Sequence, residues 1–471
     1  MSNTTTASKG AFDAFLERYP DYKKTTAIDA LRDRQFKRLD LNKHVYLDYT
    51  GSGLYGENQV AEHCGWLRES VLGNPHSESP TSVLSTNAVE ACRRRVLEFF
   101  KASSAEYEVV FTANASQALK LVGESYPFRP GGRFLLTFDN HNSVNGIREY
   151  DRARGARTDY VPLVLPDLRA DEGKLEQLLG EADPDRDNLF AFPAQSNFSG
   201  VRHPLEWIEK AQDQGWDVLL DAAAYVPTAR LDLSRWHPDF VALSFYKMFG
   251  YPTGVGVLVA KKKALEKLHR PWFSGGTIRV ASVQADRYLP AAAPAAFEDG
   301  TLDFTSIPAV SLGLDQIDSI GYETLGLRVK TLTGWLLETL RELKHKNGAP
   351  LVKIYGPETT DSRGSTIALN FFDSSGVQID QSRVELEAKA RQISVRTGCF
   401  CNPGAGELCL GITAAKMDAC MDENLVGVGC ADVRRCLDPQ GAGAIRVSFG
   451  LVSNFEDAQA FVELSQHFAE A

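Results

Sequence analysis

Residues 219–260 read LLDAAAYVPTARLDLSRWHPDFVALSFYKMFGYPTGVGVLVA, and this stretch is the most informative part of the chain. Three short apolar runs alternate with polar loops, which is typical of strands buried in an α/β sheet. One run ends in Asp221, and the next ends in Ser244-Phe245-Tyr246-Lys247. Because ligands of such sheets bind where strands end, the spacing predicts that the acid and the lysine share a site.

Lys247 lies in the aromatic, glycine-rich segment FYKMFGYPTGVG, which indicates a buried position rather than an open surface. A lysine amine becomes a useful nucleophile toward an aldehyde when burial lowers its pKa. The plainer alternative is that Asp221 caps a loop and Lys247 is a solvated residue at a strand end.

The same alternation of apolar runs and amphipathic stretches extends from about residue 45 to 320 and predicts βα units around a mostly parallel sheet. The strand candidates are VVFTAN (109–114), RFLLTFD (133–139), NLFAFPA (188–194), DVLLDAA (217–223), FVALSFY (240–246) and GVGVLVA (254–260).

After residue 320 the pattern changes to a long helix near 325–346, followed by the strands VKIYG, STIALNF, ISVRTG and AIRVSFG. We therefore expect an N-terminal helical segment (1–44), a large domain (45–320) and a smaller C-terminal α+β domain (321–471) that includes part of the N-terminal segment.

Composition excludes several classes of protein. The chain has 51 Lys and Arg against 61 Asp and Glu, a net charge of −10, and no basic stripe of the kind that binds nucleic acid. The first twenty residues lack the apolar segment of a signal peptide, and no run of eighteen apolar residues occurs. We therefore expect a cytoplasmic protein that binds neither nucleic acid nor membrane.

Cysteine is concentrated near the C-terminus. Six of the eight cysteines lie there, namely Cys399, Cys401, Cys409, Cys420, Cys430 and Cys436. In a large chain without a signal peptide, free thiols are expected rather than a disulfide framework. The spacing contains no C-x2-C pair, so no metal is expected. A non-catalytic metal- or sulfur-binding carrier stays as a rival interpretation.

The segment VVFTANASQALKLVGES places Ala115, Ser116 and Gln117 at a turn between a strand and a helix. Free backbone N–H groups and the helix dipole point there toward any anion that docks. A phosphate is therefore expected at this turn, and a plain N-cap by Asn114 or Ser116 is the alternative.

These motifs resemble fold-type I pyridoxal-phosphate (PLP) enzymes of the aminotransferase class V family, and most closely the cysteine-desulfurase-like domain of molybdenum cofactor sulfurases. The resemblance extends from YLDYTGSGLYG (46–56) to AIRVSFG (444–450). It implies a large domain with a mostly parallel sheet between helices and a smaller C-terminal domain. It also implies that Lys247 is the Schiff-base lysine, that Asp221 pairs with the pyridine nitrogen, and that Ser244 contacts the phosphate.

Further site residues follow from the resemblance alone. His141 is expected to stack on the cofactor ring and relay protons, and Asn197 to lie near the phenolic oxygen. The remaining cofactor contacts implied are Ala115, Ser116, Gln117, Tyr246, Gly276, Thr277 and Thr301. Thr301 is expected to reach the site of the neighbouring subunit, which implies a homodimer with shared sites. The chain departs from many cysteine desulfurases at Ala224 and Tyr246, where those enzymes carry glutamine and histidine.

The segment SVRTGCFCNPGAGE (394–407) resembles the cysteine loop of the same enzymes. The resemblance implies that Cys401 is the nucleophile that forms a persulfide, with Cys399 as the second candidate. Arg396 is the cation expected to favour the thiolate. GAGE stands where sulfurases carry GAC, although Cys409 follows closely. Arg446 matches the arginine that binds the substrate carboxylate, a task suited to a bidentate donor.

The resemblance therefore predicts a PLP-dependent enzyme that takes sulfur from L-cysteine as a protein persulfide, releases alanine and passes the sulfur to an acceptor protein or cofactor. A PLP-dependent C–S lyase, or another class V transferase in which Cys401 is incidental, is the alternative. Full-length sulfurases carry an additional C-terminal domain, which we do not expect in this chain of 471 residues.

Overall fold

A seven-stranded sheet lies at the centre of the structure, a computed structural model that describes residues 2–420 and 443–469, with side chains from residue 10 onward. Its strands are β1 (Tyr107–Thr112), β2 (Arg133–Thr137), β3 (Arg157–Val161), β4 (Asn188–Pro193), β5 (Trp216–Asp221), β6 (Phe240–Ser244) and β7 (Gly256–Lys261). They lie in the order β1-β7-β6-β5-β4-β2-β3. All neighbours pair in parallel except β7, which is antiparallel to both β1 and β6. The predicted α/β class with a mostly parallel sheet is confirmed.

All six predicted strands are present, and five of them end one or two residues before the predicted end. The chain leaves the ladder early at these points because the last residues of each apolar run line loops at the sheet edge. The edge strand β3 was not predicted, since its sequence RTDYV carries two charged residues and only its last residue, Val161, is fully buried.

Side chains of successive residues along the central strands enter two separate apolar cores. In β6, for example, Val241 and Leu243 belong to one core, while Phe240 and Ala242 belong to the other. This period of two means that both faces of the sheet are covered, which explains why these strands are apolar throughout.

Helices surround the large sheet. They are Glu57–Glu69, Pro80–Phe99, Ala115–Ser125, Asn142–Asn145, Arg148–Ala153, Glu172–Leu179, Trp207–Gln212, Phe245–Phe249, Lys262–Lys267 and Ala309–Ile320, with a 3-10 turn at Ala295–Phe297. Short strands form three two-stranded pairs: Val45–Tyr46 with Ile393–Ser394, Leu163–Val164 with Arg169–Ala170, and Ile278–Ser282 with Arg287–Pro290. Within the described part of the chain, no helix has the length and apolarity needed to cross a membrane. The compartment stays a prediction from the sequence.

The C-terminal part begins with the helix Tyr322–Glu342 and contains a four-stranded antiparallel sheet. Its strands are β8 (Val352–Tyr355), β9 (Ile367–Phe371), β10 (Arg396–Gly398) and β11 (Ala444–Val447), in the order β8-β9-β11-β10. Its helices are Gln381–Ala390, Pro403–Leu410, Ala414–Cys420 and Phe455–His467. The predicted ISVRTG strand is divided, because Ile393–Ser394 pairs with Val45–Tyr46 and only Arg396–Gly398 joins this sheet.

The N-terminal helices are Ser2–Arg18, Thr26–Gln35 and Arg38–Leu41, with a 3-10 helix at Pro20–Thr25. They contact the C-terminal part through ion pairs of buried arginines. Arg328, with no exposed side-chain surface, pairs with Asp29 at 2.6 Å, and Arg32 pairs with Asp457 at 2.7 Å. The domain boundaries expected near residues 44 and 320 stay predictions.

The expectation of free thiols is correct for Cys64, Cys92, Cys399, Cys401 and Cys409. It is wrong for Cys420, which is disulfide-bonded. The expectation came from the absence of a signal peptide, which does not tell which thiols the fold brings together. Cys430 and Cys436 lie outside the described residues.

The short helix that carries Lys247, Phe245–Phe249, is held by two glycines. Gly250 ends the helix in the left-handed conformation at φ 76°, where a side chain is strained. Gly313, on the helix Ala309–Ile320, lies directly against the Phe249 ring, so that a Cβ atom at this position would overlap the ring. The position of the lysine therefore depends on a helix contact that admits no side chain.

We expect the Gly313→Ala substitution to destabilise the protein by about 1–3 kcal/mol, because the added methyl group forces the Phe249 ring out of a packed core. Gly326→Ala is the matched control, since a Cβ atom there would meet its nearest neighbour, the Thr228 carbonyl oxygen, at 4.0 Å. The control should be neutral or stabilising by up to about 1 kcal/mol. Urea unfolding of both variants measures the difference. Equal stabilities would contradict the close contact.

Candidate active site

Lys247 lies in a cavity of about 170 Å³ at the point where β5 and β6 end. The cavity is lined by Asn114, Ala115, Ser116, Leu119, His141, Ser143, Asp221, Ala223, Ser244, Tyr246 and Lys247. Of these, the sequence analysis did not include Asn114, Leu119, Ser143 and Ala223 among the site residues. The small residue Ala223 and the apolar Leu119 carry no chemical signal, whereas Ser143 stands two residues after His141 and was detectable from that position.

The amine of Lys247 has no hydrogen-bond or ion-pair partner among the described residues. Burial lowers its pKa, the positive charge of Arg446 lowers it further, and the carboxylate of Asp221 opposes both effects. The residue is half-buried rather than fully buried, because its side chain lines the cavity. A larger fraction of this amine is neutral, and therefore nucleophilic, than in a solvated lysine.

Asp221 is the last residue of β5, and its side chain is 8% exposed. Its Oδ1 accepts a hydrogen bond from the Ala223 N–H at 3.0 Å. Within the described part of the chain, its other oxygen accepts none. Asp221 therefore caps a turn, as the plainer alternative had it, and also presents a carboxylate oxygen to the cavity that contains Lys247.

The opposite end of the cavity is suited to an anion. Asn114 caps the helix Ala115–Ser125 by accepting the Gln117 N–H at 3.0 Å, and the Ala115 N–H donates to Ser244 Oγ at 2.8 Å. The hydroxyl of Ser116 lies 2.6 Å from that of Ser143. A helix N-terminus and three hydroxyl groups thus converge here, the arrangement that binds phosphate in many proteins.

The turn at Asn114 packs closely against β7. A Cβ atom at Gly256 would lie 2.6 Å from the Asn114 Cα atom and 2.8 Å from the Leu243 carbonyl oxygen. Only glycine fits between this turn and the neighbouring strand β6. Gly256 therefore determines how close the anion-binding end of the cavity lies to β6.

His141 lines the cavity and follows β2. Its Nδ1 accepts the Ser143 N–H at 3.1 Å, so in the neutral ring the proton is on Nε2. Burial lowers the pKa of His141, as do the charges of Lys247 and Arg446, while Asp221 raises it. The ring is thus kept neutral with an N–H donor on the side away from Ser143.

Arg446, on β11, is buried and reaches the site from the C-terminal part. Its guanidinium donates to Asp48 Oδ1 at 2.9 Å and to the Asn197 carbonyl oxygen at 3.0 Å, and lies 4.7 Å from the centre of the Phe400 ring. Its Nε has no partner among the described residues. Burial lowers the pKa of Arg446, and Asp48 opposes this change. The Nε–H is therefore among the donors of this arginine that no described residue uses.

Arg396 does not act as a free cation next to a thiol, because its guanidinium donates to Asp48 Oδ2 at 2.6 and 3.0 Å. Asp48 is 6% exposed and bridges Arg396 and Arg446. Sequence analysis did not identify Asp48, although an acid directly after a short strand and before the glycine turn TGSG was a usable signal.

The two candidate cysteines face different surroundings. Cys401 is exposed, and its carbonyl oxygen accepts the Asn142 N–H at 2.7 Å, one residue after the cavity-lining His141. Cys399 instead packs against the helix Pro403–Leu410, where a Cβ atom at Gly406 would lie 3.4 Å from its sulfur. Burial raises the pKa of Cys409, on the same helix, to about 12. The geometry favours Cys401 as the reactive thiol.

Other predicted residues lie outside the cavity of Lys247. Asn197 contacts the cysteine loop, where its Nδ2 donates to the Phe400 carbonyl oxygen at 2.7 Å. Gly276 and Thr277 belong to a separate turn, in which the Ser274 N–H donates to Thr277 Oγ1 at 2.9 Å. Thr301 and Gln117 line a neighbouring cavity of about 280 Å³.

Ala224, where a departure from the family pattern was noted, does not line the cavity. No group of three or more His, Cys, Asp or Glu side chains in the described ranges, 2–420 and 443–469, is arranged to hold a metal ion.

Comparison with known proteins identifies the same family as the resemblance in the sequence. Residues 45–461 match the family model described as aminotransferase class-V. Molybdenum cofactor sulfurase from Homo sapiens is 38% identical over 459 residues, which cover 93% of this chain and 51% of that protein. The Arabidopsis thaliana sulfurase is 36% identical, with 94% and 58% covered. The chain spans about half the length of the curated relatives it matches.

The apo structure of a cysteine desulfurase from Thermococcus onnurineus NA1 superimposes with a TM-score of 0.76 over 94% of this chain and 98% of that one, at 23% identity. This likeness confirms the expected fold of fold-type I PLP enzymes. Together with the family match over nearly the whole chain, it confirms the resemblance seen in the sequence, and the chain belongs to the aminotransferase class V family.

Proposed function

We propose that the chain is a PLP-dependent, cysteine desulfurase-like enzyme that takes sulfur from L-cysteine and holds it as a persulfide on Cys401. The observation that carries the proposal is the exposed Cys401 thiol on a loop tied to the cofactor cavity, where the Asn142 N–H, next to the cavity-lining His141, donates to the Cys401 carbonyl oxygen at 2.7 Å. A thiolate is the form that attacks sulfur.

The residues present fit pyridoxal phosphate. Lys247 offers an amine without a partner among the described residues, and Asp221 offers a buried carboxylate oxygen for the pyridine nitrogen. The hydroxyls of Ser116 and Ser244, at the N-terminus of the helix Ala115–Ser125, suit the phosphate. His141 stands at the side of the cavity for stacking. When bound, pyridoxal phosphate supplies an electron-withdrawing ring that stabilises negative charge at Cα of an amino acid.

Arg446 is the group that binds the substrate carboxylate. Its Nε is the donor left without a partner in the described part, while its other nitrogens are held by Asp48 and by the Asn197 carbonyl oxygen. This prior arrangement fixes the plane of the guanidinium, so that a carboxylate meets an oriented donor.

Two side chains near the substrate carbon atoms can exchange protons. The neutral amine of Lys247 takes the proton from Cα, and its lowered pKa leaves it unprotonated at lower pH than an ordinary lysine. His141 presents Nε2–H and holds a proton on the other side of the cavity.

The sulfur transfer is a displacement at the sulfur atom of L-cysteine. The Cys401 thiolate forms a bond to the sulfur of L-cysteine as the bond between that sulfur and Cβ breaks. The electron pair stays with the carbon skeleton, which takes up a proton at Cβ, regains at Cα the proton that Lys247 had taken, and leaves as alanine. The substrate sulfur stays on Cys401 as a persulfide. A nucleophilic atom of the acceptor then forms a bond to the outer sulfur as the S–S bond breaks, and the Cys401 thiolate is restored.

The acceptor is a cofactor or a protein that reaches Cys401 from solvent, since the thiol is exposed. The names of the relatives make a molybdenum cofactor the first candidate for the acceptor.

We also propose that the enzyme is a homodimer. Residues 272–289 expose a cluster of large apolar side chains, which are Trp272, Phe273, Val280, Val283, Tyr288 and Leu289. Such a cluster on one hairpin is typical of a protein–protein interface. The predicted phosphate-contacting residues Gly276 and Thr277 lie in the same segment, away from Lys247 of their own chain. A second copy of the chain is therefore the partner that we propose for this surface.

Cys401→Ala should reduce alanine and sulfide release from L-cysteine by about 100-fold or more, because the sulfur acceptor in the first half of the reaction is removed. Cys399→Ala, the matched control, should stay within about threefold of the wild-type rate. Alanine, pyruvate and sulfide are quantified together in the presence of a reductant. Undiminished product from Cys401→Ala would refute the role of this thiol, and pyruvate with ammonia would identify a C–S lyase instead.

The pH dependence of cofactor capture tests the environment of Lys247. Only the neutral amine reacts with the aldehyde, so the capture rate rises with pH up to the amine pKa. Because burial and Arg446 lower that pKa, the half-maximal rate should occur at lower pH than for Nα-acetyllysine.

Arg446→Met removes a positive charge and should move this midpoint upward. Absorbance of the apoprotein mixed with pyridoxal phosphate follows the rate. A midpoint at or above that of Nα-acetyllysine would refute the lowered pKa.

Leu289→Glu should weaken the dimer at least tenfold, equivalent to about 1.4 kcal/mol, because it places a charge in an apolar interface. Leu386→Glu is the control, since Leu386 is similarly exposed, 66% against 59% for Leu289, but lies on the distant helix Gln381–Ala390. Sedimentation velocity over a range of concentrations measures both. A wild-type protein that sediments as a monomer throughout would contradict the dimer.

A further inference from the structure

Asn402, the residue after Cys401, has a completely buried side chain. Its Nδ2 donates hydrogen bonds to the Asp139 carbonyl oxygen at 2.7 Å and to Asn197 Oδ1 at 2.9 Å. Its Oδ1 accepts the Ala405 N–H at 3.3 Å and so caps the helix Pro403–Leu410. One side chain thus joins the cysteine loop to two loops at the carboxyl edge of the large sheet.

Two further hydrogen bonds hold the same loop. The Asn142 N–H donates to the Cys401 carbonyl oxygen at 2.7 Å, and Asn197 Nδ2 donates to the Phe400 carbonyl oxygen at 2.7 Å. Asn142 directly follows His141, which lines the cavity of Lys247. The backbone on both sides of the Cys401 α-carbon is therefore tied to loops that form the cofactor cavity or border it.

The conformation that these bonds hold is strained. Phe400 and Cys401 both have φ 55°, in the left-handed region that residues with side chains rarely adopt. Two consecutive residues of this kind persist only where surrounding contacts hold them. Without the contacts, the loop would relax toward ordinary φ values, and the Cys401 sulfur would lose its fixed position.

The Asn197 side chain depends on Asn402 in the same way. Asn197 uses Oδ1 to accept from Asn402, Nδ2 to hold Phe400, and its backbone carbonyl oxygen to hold Arg446. If Asn402 no longer donates, the amide of Asn197 loses one of the two bonds that orient it. The backbone carbonyl oxygen of Asn197 keeps its bond to Arg446, so the loss affects the cysteine loop rather than the substrate-binding arginine.

We propose that Asn402 is a positioning residue that clamps the strained Cys401 loop against the cofactor cavity, so that the thiol meets the substrate sulfur without a swing of the loop. This inference rests on the proposed desulfurase function. It assigns the persulfide a fixed and exposed place, and the acceptor must come to that place to collect the sulfur.

Substitutions separate the clamp from the helix cap. Asn402→Asp keeps an oxygen that accepts the Ala405 N–H, but it replaces the donor to Asp139 and Asn197 with an oxygen that faces two oxygens. Asn402→Ala removes both functions. Asp380→Ala is the matched control, since it removes only a cap, that of the helix Gln381–Ala390, which accepts the Ser382 N–H at 2.7 Å.

The experiment uses the full-length, PLP-loaded chain and separates substrate binding from sulfur transfer. Mixing with L-cysteine is followed by cofactor absorbance, and persulfide on Cys401 is quantified by labelling and mass spectrometry in a single turnover. Both Asn402 variants should form persulfide on the order of 100-fold more slowly, since a displacement of about 1 Å has this effect on a positioned nucleophile. Their absorbance response to L-cysteine should stay within about threefold of the wild type.

Hydrogen exchange gives a readout that needs no substrate. Peptides covering residues 138–145 and 399–406 should exchange faster in both Asn402 variants, because loosening of the loop releases the bond from the Asn142 N–H to the Cys401 carbonyl oxygen. The exchange rates of these peptides should be unchanged in Asp380→Ala. Wild-type persulfide formation or unchanged exchange in Asn402→Asp would overturn the clamp. If the wild type forms no persulfide, the proposed function fails, and hydrogen exchange still decides whether Asn402 holds the loop.

Discussion

A lysine amine without a partner among the described residues, placed in the cavity where β5 and β6 end, is the constraint on which the site depends. Placing a cationic group in this cavity is costly, and the nearby positive charge of Arg446 adds to the cost. Asp221 offsets part of it from one side, and Asp48 neutralises Arg446 from the other. The result is an amine that loses its proton easily inside a site that still attracts the carboxylate of an amino acid.

Asp48 connects the charges of the N-terminal region with those of the C-terminal sheet. It follows a short strand of the N-terminal region, yet it pairs with Arg446 and Arg396 from the C-terminal sheet. Its two carboxylate oxygens serve one arginine each, which keeps Arg396 from acting as a free charge near the thiol. The exposed arginine that the motif suggested is therefore held in an ion pair.

Much of the fold was predictable because burial on both faces of the sheet leaves a continuous apolar run for each central strand. The edge strand β3 was missed because it lacks this continuous apolar run. One side of an edge strand meets solvent, and its charged residues interrupt the run. The divided ISVRTG strand was also not predictable, because its apolar pattern is continuous while its two halves pair with different partners. Pairing is a property of neighbours in space, which periodicity does not contain.

For the site, the local sequence was sufficient wherever chemistry and strand position coincide, as for Lys247, Asp221, Ser244 and the turn at Ser116. It identified the residue types and the edge of the sheet at which they meet, since side chains at the ends of adjacent parallel strands must converge. Only the tertiary structure decided that Cys401 is exposed while Cys399 packs against a helix, that Asp48 joins two arginines, and that Asn402 ties the cysteine loop to the cavity. These facts rest on contacts between segments hundreds of residues apart, whose geometry is set by packing of the whole chain and leaves no trace in any one segment.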